Sequence, residues 1–337
     1  MQNDECKMQN EGVAFGDYLN HFRRKYLNSA FLILHSAFRA LRGILKFESV
    51  FGDGNMRADC HMHMVLDGVD WKTAIARHKE GADEIWLRKA LKAYQDKGFT
   101  YLRDGGDRWG VGAKAREIAP EYGITYRCPL SNLCKAGHYG AFIGEKYTDF
   151  KEFTALVKKH RENGADFIKI MISGLMDFDR FGVLSEEALP AAEIRELIHI
   201  AHEEGFPVMA HANGARCVEA AAAAGVDSVE HGAYPDEDAL IAMKENGTVW
   251  CPTLSTIGNL RGTGRFDEGA VQQILKSAME SVRTFAQIGG LLVPGTDAGA
   301  WNVFQGTLSE YELLESALGP DSQNILARGI EKLKEKF

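Results

Sequence analysis

From about residue 56 onward the chain keeps one rhythm, and that rhythm limits the folds open to it. Short apolar runs at 56–64, 100–105, 123–130, 166–173, 207–212, 228–232, 249–254 and 291–296 read as strands. Between them, 71–96, 150–163, 191–204, 215–224, 236–245 and 268–288 read as amphipathic helices; the first carries Ile75, Ile85, Leu87, Leu91 and Tyr94. Several helical stretches run into a glycine where a helix commonly ends, as in Lys97-Gly98, Asn163-Gly164 and Glu204-Gly205. Repeated βα units imply parallel strands with helices outside, and eight strands fit a closed α/β fold, the (β/α)8 TIM barrel. A doubly wound open sheet is the rival. It normally wants a Gly-rich phosphate loop after the first strand, where this chain has Met64-Val65-Leu66-Asp67-Gly68. The tail, 309–337, reads as one or two closing helices, so the barrel domain is expected over 56–337.

Residues 1–55 read differently. A polar start leads into Phe31, Leu34, Phe38, Leu41 and Leu45 at helical spacing, then a Gly-rich joint. The segment is expected to be a helical N-terminal extension. Arg23-Arg24-Lys25 before Phe31-Leu32-Ile33-Leu34 loosely mimics a targeting signal, but polar residues precede it and His35, Arg39 and Arg42 interrupt it. No stretch approaches the roughly 20 apolar residues of a membrane span. A net charge of -8 argues against nucleic acid, whose backbone needs a basic face. Six scattered cysteines without a CxxC pair suit reduced thiols and a cytoplasmic location. The expected partner is a small-molecule substrate, with a homo-oligomer left open.

The chemistry sits at the strand ends. In Asp59-Cys60-His61-Met62-His63, strand alternation puts Asp59, His61 and His63 on one face. Paired imidazoles suit a divalent cation, and Asp59 could brace a ring. In a barrel, the C-terminal ends of all strands converge on one mouth. The fifth strand ends in His211, the sixth in His231 and the eighth in Asp297. Lys169 lies inside the apolar run Phe167-Ile168-Lys169-Ile170-Met171 of the fourth. Any one histidine could be structural, and Asp297 could cap a helix. The coincidence of all of them points to a metal site. A buried ammonium is costly unless paired or neutralised. A neutral lysine amine can instead take up carbon dioxide as a carbamate, whose two oxygens bridge two cations. A binuclear centre is therefore expected. Zinc suits this ligand set, and manganese, cobalt or iron are compatible by ligand type.

This set resembles the metal-dependent amidohydrolase superfamily. Gly98-Phe99-Thr100-Tyr101-Leu102-Arg103-Asp104, Gly164-Ala165-Asp166-Phe167-Ile168-Lys169-Ile170, Ser228-Val229-Glu230-His231-Gly232 and Gly295-Thr296-Asp297-Ala298-Gly299 look like its imidazolonepropionase-like and Xaa-Pro dipeptidase (prolidase) branch. The resemblance covers roughly 56–300. It implies that His61, His63 and Asp297 hold one metal and His211 and His231 the other, with carboxylated Lys169 and a hydroxide bridging them. It implies hydrolysis of an amide bond in a peptide, N-acyl amino acid or cyclic amide, with Asp297 as general base and then acid. His138, in Ala136-Gly137-His138-Tyr139-Gly140, and Tyr234, in His231-Gly232-Ala233-Tyr234, match substrate-contacting positions of the branch. Most relatives also carry a small β-sandwich, for which this chain has little or no material.

Three alternatives stay open. A lactonase or phosphotriesterase would use the same centre. A mononuclear deaminase usually lacks the strand-four lysine and carries a glutamate soon after the strand-five histidine, where this chain has Ala212-Asn213-Gly214. A non-catalytic metal-binding protein is the third. Long loops at about 131–148, 175–187 and 256–267 could form a lid, and their Lys135, Arg180, Arg261 and Arg265 could clamp a carboxylate.

Overall fold

The computed structural model describes residues 57–337; the expected N-terminal helix lies outside the described residues. The strands are β1 (Arg57–Met62), β2 (Phe99–Asp104), β3 (Thr125–Arg127), β4 (Asn132–Lys135), β5 (Glu145–Tyr147), β6 (Ile168–Met171), β7 (Val208–Ala212), β8 (Ser228–His231), β9 (Val249–Cys251) and β10 (Leu291–Leu292). They form two parallel sheets, β1-β2-β3 and β10-β9-β8-β7-β6-β4-β5. This is the α/β architecture that the rhythm predicts.

Backbone hydrogen bonds also join one sheet to the other. The Cys60 and His63 amides donate to Pro294 and Ala298 (2.9 and 2.8 Å), and the Asp297 amide donates to the His61 carbonyl (2.7 Å). Beyond β3, the Asp166 amide donates to the Cys128 carbonyl (3.0 Å).

Local chemistry sets most boundaries. Asp83, Asp149, Asp236 and Asp267 each accept backbone N–H bonds at the start of a helix. Gly98 and Gly205 leave helices with φ of +75° and +84°.

Three expectations are revised. The stretch 71–96 is two helices, Trp71–Arg77 and Glu84–Gln95, parted by Gly81 at φ +125° and restarted by the Asp83 cap. The strand expected at 123–130 is only Thr125–Arg127; β4 begins beyond Pro129, which has no N–H for a ladder. The strand expected at 291–296 is only Leu291–Leu292, followed by Pro294. The tail forms two helices, Ser309–Leu318 and Ser322–Lys336, as expected. Leu333 and Phe337 pack on the core cluster with Ala58, Cys60, Tyr101, Phe167, Met209, Val249, Cys251 and Val293. Among the described residues, no helix is long and apolar enough to cross a membrane.

Candidate metal centre and substrate cavity

One cavity of about 990 Å³ is lined by His61, His63, Lys169, His211, His231 and Asp297 together. His61 and His63 come from β1 and its exit, Lys169 from within β6, His211 and His231 from the last residues of β7 and β8, and Asp297 from the loop after β10. Burial is nearly complete for His61, Lys169 and His211. Asp297 Oδ1 stands 3.4 Å from His61 Nε2 and 3.5 Å from His63 Nε2. The His61 and His231 rings are 4.9 Å apart, and those of His211 and His231 4.6 Å. His61, His231 and Asp297 each offer a ligand atom within 4.8 Å of the others.

For three of the four rings, a hydrogen-bond partner decides which nitrogen is open. His61 Nδ1 meets Glu230 Oε2 at 2.6 Å, leaving Nε2 without a partner. His231 Nδ1 meets Thr253 Oγ1 at 2.7 Å, and its Nε2 stays open. His211 is reversed: Nε2 donates to the Gly174 carbonyl at 3.1 Å, which leaves Nδ1 as its free lone pair. His231 and Asp297 adopt φ of +67° and +54°. Left-handed backbone is uncommon for such residues and clusters where structure serves a site.

The electrostatics suit cation binding. Burial, with the nearby Lys169 charge adding to it, pushes His63 and His211 down to about 3 and His61 well below its ordinary value. Burial and the His211 neighbour do the same to His231. All four rings are therefore neutral, the ligating form, at pH 7. Burial lowers Lys169 to about 8 despite Glu230, and its ammonium nitrogen has no hydrogen-bond partner. Burial also raises Asp297 to about 8, against the Lys169 charge.

Asp59 does not brace a ring. Its carboxylate accepts from the Thr296 amide (2.9 Å), the Thr296 hydroxyl (2.6 Å) and Tyr94 (3.2 Å), and so holds the backbone beside Asp297. His138 and Tyr234 do not line the cavity. The His138 side chain is 37% exposed with Nδ1 3.6 Å from Glu186, and Tyr234 borders a separate small pocket beside Phe181. Tyr139, the residue after His138, lines the cavity instead, its ring 4.9 Å from that of His211.

Sequence reasoning gave no role to Glu230, Arg103 or Thr253. The signal that singled out Lys169, a charge inside an apolar strand, applies equally to Leu102-Arg103 and Val229-Glu230. Strand alternation obscured Glu230: it should face away from His231, but the positive φ at His231 breaks the pattern.

Of the four loop cations, only Arg265 lines the cavity. Lys135 pairs with Glu193 (2.8 Å), Arg180 with Asp177 (2.7 Å), and Arg261 donates to the Gly258 carbonyl (3.0 Å). The Arg265 guanidinium lies 4.2 Å from the Trp301 ring centroid and 5.3 Å from that of Phe266, with no carboxylate partner among the described residues. Trp71, Phe142, Phe178 and Trp301 make much of the remaining wall.

No family model matches the chain. The ochratoxinase of Aspergillus niger is 25% identical over an alignment covering 71% of this chain and 56% of its own length. The chain thus spans little more than half the length of that relative. Among solved structures, a Xaa-Pro dipeptidase with bound methionine in its active site aligns with a TM-score of 0.67 at 20% identity, covering 83% of this chain and 75% of that one. The A. niger ochratoxinase structure aligns with a TM-score of 0.66 at 19% identity, covering 82% and 70%.

Proposed function

We propose that this chain, of the amidohydrolase superfamily and its prolidase-like branch, hydrolyses an amide bond at a pair of divalent cations, with zinc the natural occupant. The observation that carries this reading is the meeting of six side chains, from four strands and the loop after β10, in one cavity. The bonds between the two sheets support a closed (β/α)8 barrel over 56–337, the form that brings strand ends to one mouth.

The donor set fits cations. Donors on one tetrahedral zinc stand roughly 3.3 Å apart, given bonds of roughly 2.0–2.1 Å, and Asp297 Oδ1 keeps 3.4 and 3.5 Å from the two β1 histidines. His61 Nε2 and Lys169 Nζ are buried polar atoms with no other partner. In this reading His61, His63 and Asp297 would hold one ion and His211 and His231 the other, with Lys169 available to both. The Lys169 amine, once neutral, attacks carbon dioxide; an N–C bond forms, nitrogen gives up a proton to water, and the carbamate anion results.

When bound, such ions polarise a carbonyl and acidify water. The remaining work belongs to the chain. Asp297 takes the proton of the attacking water and passes it to the leaving nitrogen as the C–N bond breaks, so acid and base are one residue. Thr253 and the Gly174 carbonyl hold the His231 and His211 rings in register. Arg265 clamps a substrate carboxylate, and the aromatic wall takes the apolar half. His138 and Tyr234 take no step in this reading, since neither lines the cavity. Metal analysis together with a panel of dipeptides, N-acyl amino acids, cyclic amides and lactones tests the reading. About two metal equivalents and amide turnover are expected; a metal-free, inactive protein after reconstitution refutes it.

A further inference from the structure

We infer that Glu230 is a positioning residue: its carboxylate, anchored by Arg103 inside the core, holds His61 turned so that Nε2 alone faces the cavity. The inference rests on the metal-centre reading above. Arg103 and Glu230 form an ion pair with both side chains fully buried, Nη2 to Oε1 at 2.8 Å. The guanidinium is fixed further by Nε donating to the Cys60 carbonyl (2.7 Å), Nη2 donating to the Ser228 hydroxyl (3.0 Å), and the Phe337 ring 4.5 Å away. The Ser228 hydroxyl donates to Glu230 Oε1 as well.

Such a pair is a poor way to stabilise a core. Desolvation offsets the attraction, and apolar replacements of similar volume are often neutral or stabilising. What the pair does is visible in the other oxygen, Oε2, which meets His61 Nδ1 at 2.6 Å. A carboxylate only accepts, so Nδ1 must carry the hydrogen and Nε2 the lone pair. Glu230 also lies near Cys251 and His61 in a cluster of possible ligands. Arg103 and Ser228 already hold its Oε1, so the cluster is an anchor and not a further cation site. β8 thereby serves the centre twice: His231 faces the cavity, and the residue before it orients a ring on β1.

The test separates orientation from folding. In the wild-type apoprotein, 15N spectra of the histidines should show His61 protonated on Nδ1 with a bare Nε2. The double variant Arg103→Met/Glu230→Met should unfold cooperatively at a temperature equal to or above wild type, yet bind Zn2+ roughly 10–100-fold more weakly. Arg103→Met/Glu230→Gln, whose amide oxygen still accepts from Nδ1, should recover most of that loss. An Nε2-protonated His61 in the wild type overturns the inference even if neither variant folds. So does wild-type Zn2+ affinity in the double methionine variant, or a glutamine variant no better than it. Wild-type protein that takes up no divalent cation overturns the metal centre instead, and the tautomer spectrum still decides the role of Glu230.

Discussion

A Cβ placed on Gly105 would stand 2.1 Å from Cε1 of His63, inside any real contact distance. Gly105 follows β2 directly, and its missing side chain is the space that the His63 ring occupies. Gly105→Ala should displace that ring at a cost of about 1–3 kcal/mol. Metal titration should show weakened binding while the circular dichroism spectrum stays unchanged. Wild-type affinity in this variant would mean that His63 is not a ligand.

In the proposed reading, two-metal binding turns on Lys169. Lys169→Ala should drop metal content well below two equivalents and abolish turnover. A short carboxylic acid such as propionate, added in excess, should restore part of both, because it returns the bridging oxygens. If the alanine variant keeps its metal and activity, the carbamate is wrong.

The proposed function gives Asp297 both a ligand and a proton-transfer role. Asp297→Asn nearly preserves shape but cannot accept a proton. Its kcat should fall on the order of 10²–10⁴-fold, the usual worth of a positioned acid–base group. Comparing kcat with metal content separates the two roles: lost metal at lost rate assigns Asp297 to binding alone.

Arg265 predicts substrate charge. Arg265→Gln should raise KM roughly 10–100-fold for a carboxylate-bearing amide, as expected for a charge-assisted hydrogen bond of about 1.5–3 kcal/mol. The same substrate with its carboxylate capped as an amide should show no such difference. Equal effects on both would place Arg265 in packing against Trp301 and Phe266 and not in recognition.

Stability should depend on pH through Asp227. It accepts from His202 Nε2 (2.9 Å) and the Val208 amide (2.9 Å), with Lys336 at 3.2 Å. These hydrogen bonds, His202 first, outweigh the upward push of burial and hold its carboxyl below the ordinary 3.8. A depressed folded-state value stabilises above the unfolded one and is lost as pH falls through the folded one. Asp227→Asn should therefore cost about 1–2 kcal/mol at pH 7, with the gap from wild type closing as pH drops below about 4. Denaturant titrations at pH 7 and pH 3 measure it; an equal gap at both would rule out the charge.

Much of this was readable in the linear chain, because strand periodicity and strand ends are local properties. A lysine flanked by Ile168 and Ile170 has few interpretations, and His211 and His231 both fall where β7 and β8 close. Sequence could therefore name the side chains that meet. It could not say which ring nitrogen stays open, since that depends on Glu230, Thr253 and the Gly174 carbonyl, brought near only by folding. Nor could it choose Arg265 among four loop cations: the other three find partners whose positions depend on how each loop packs. Tertiary structure also broke the alternation at His231, where positive φ turns a side chain that the strand pattern points elsewhere. Local pattern specifies which groups a strand delivers; the partners each group finds across the fold decide its orientation and its charge.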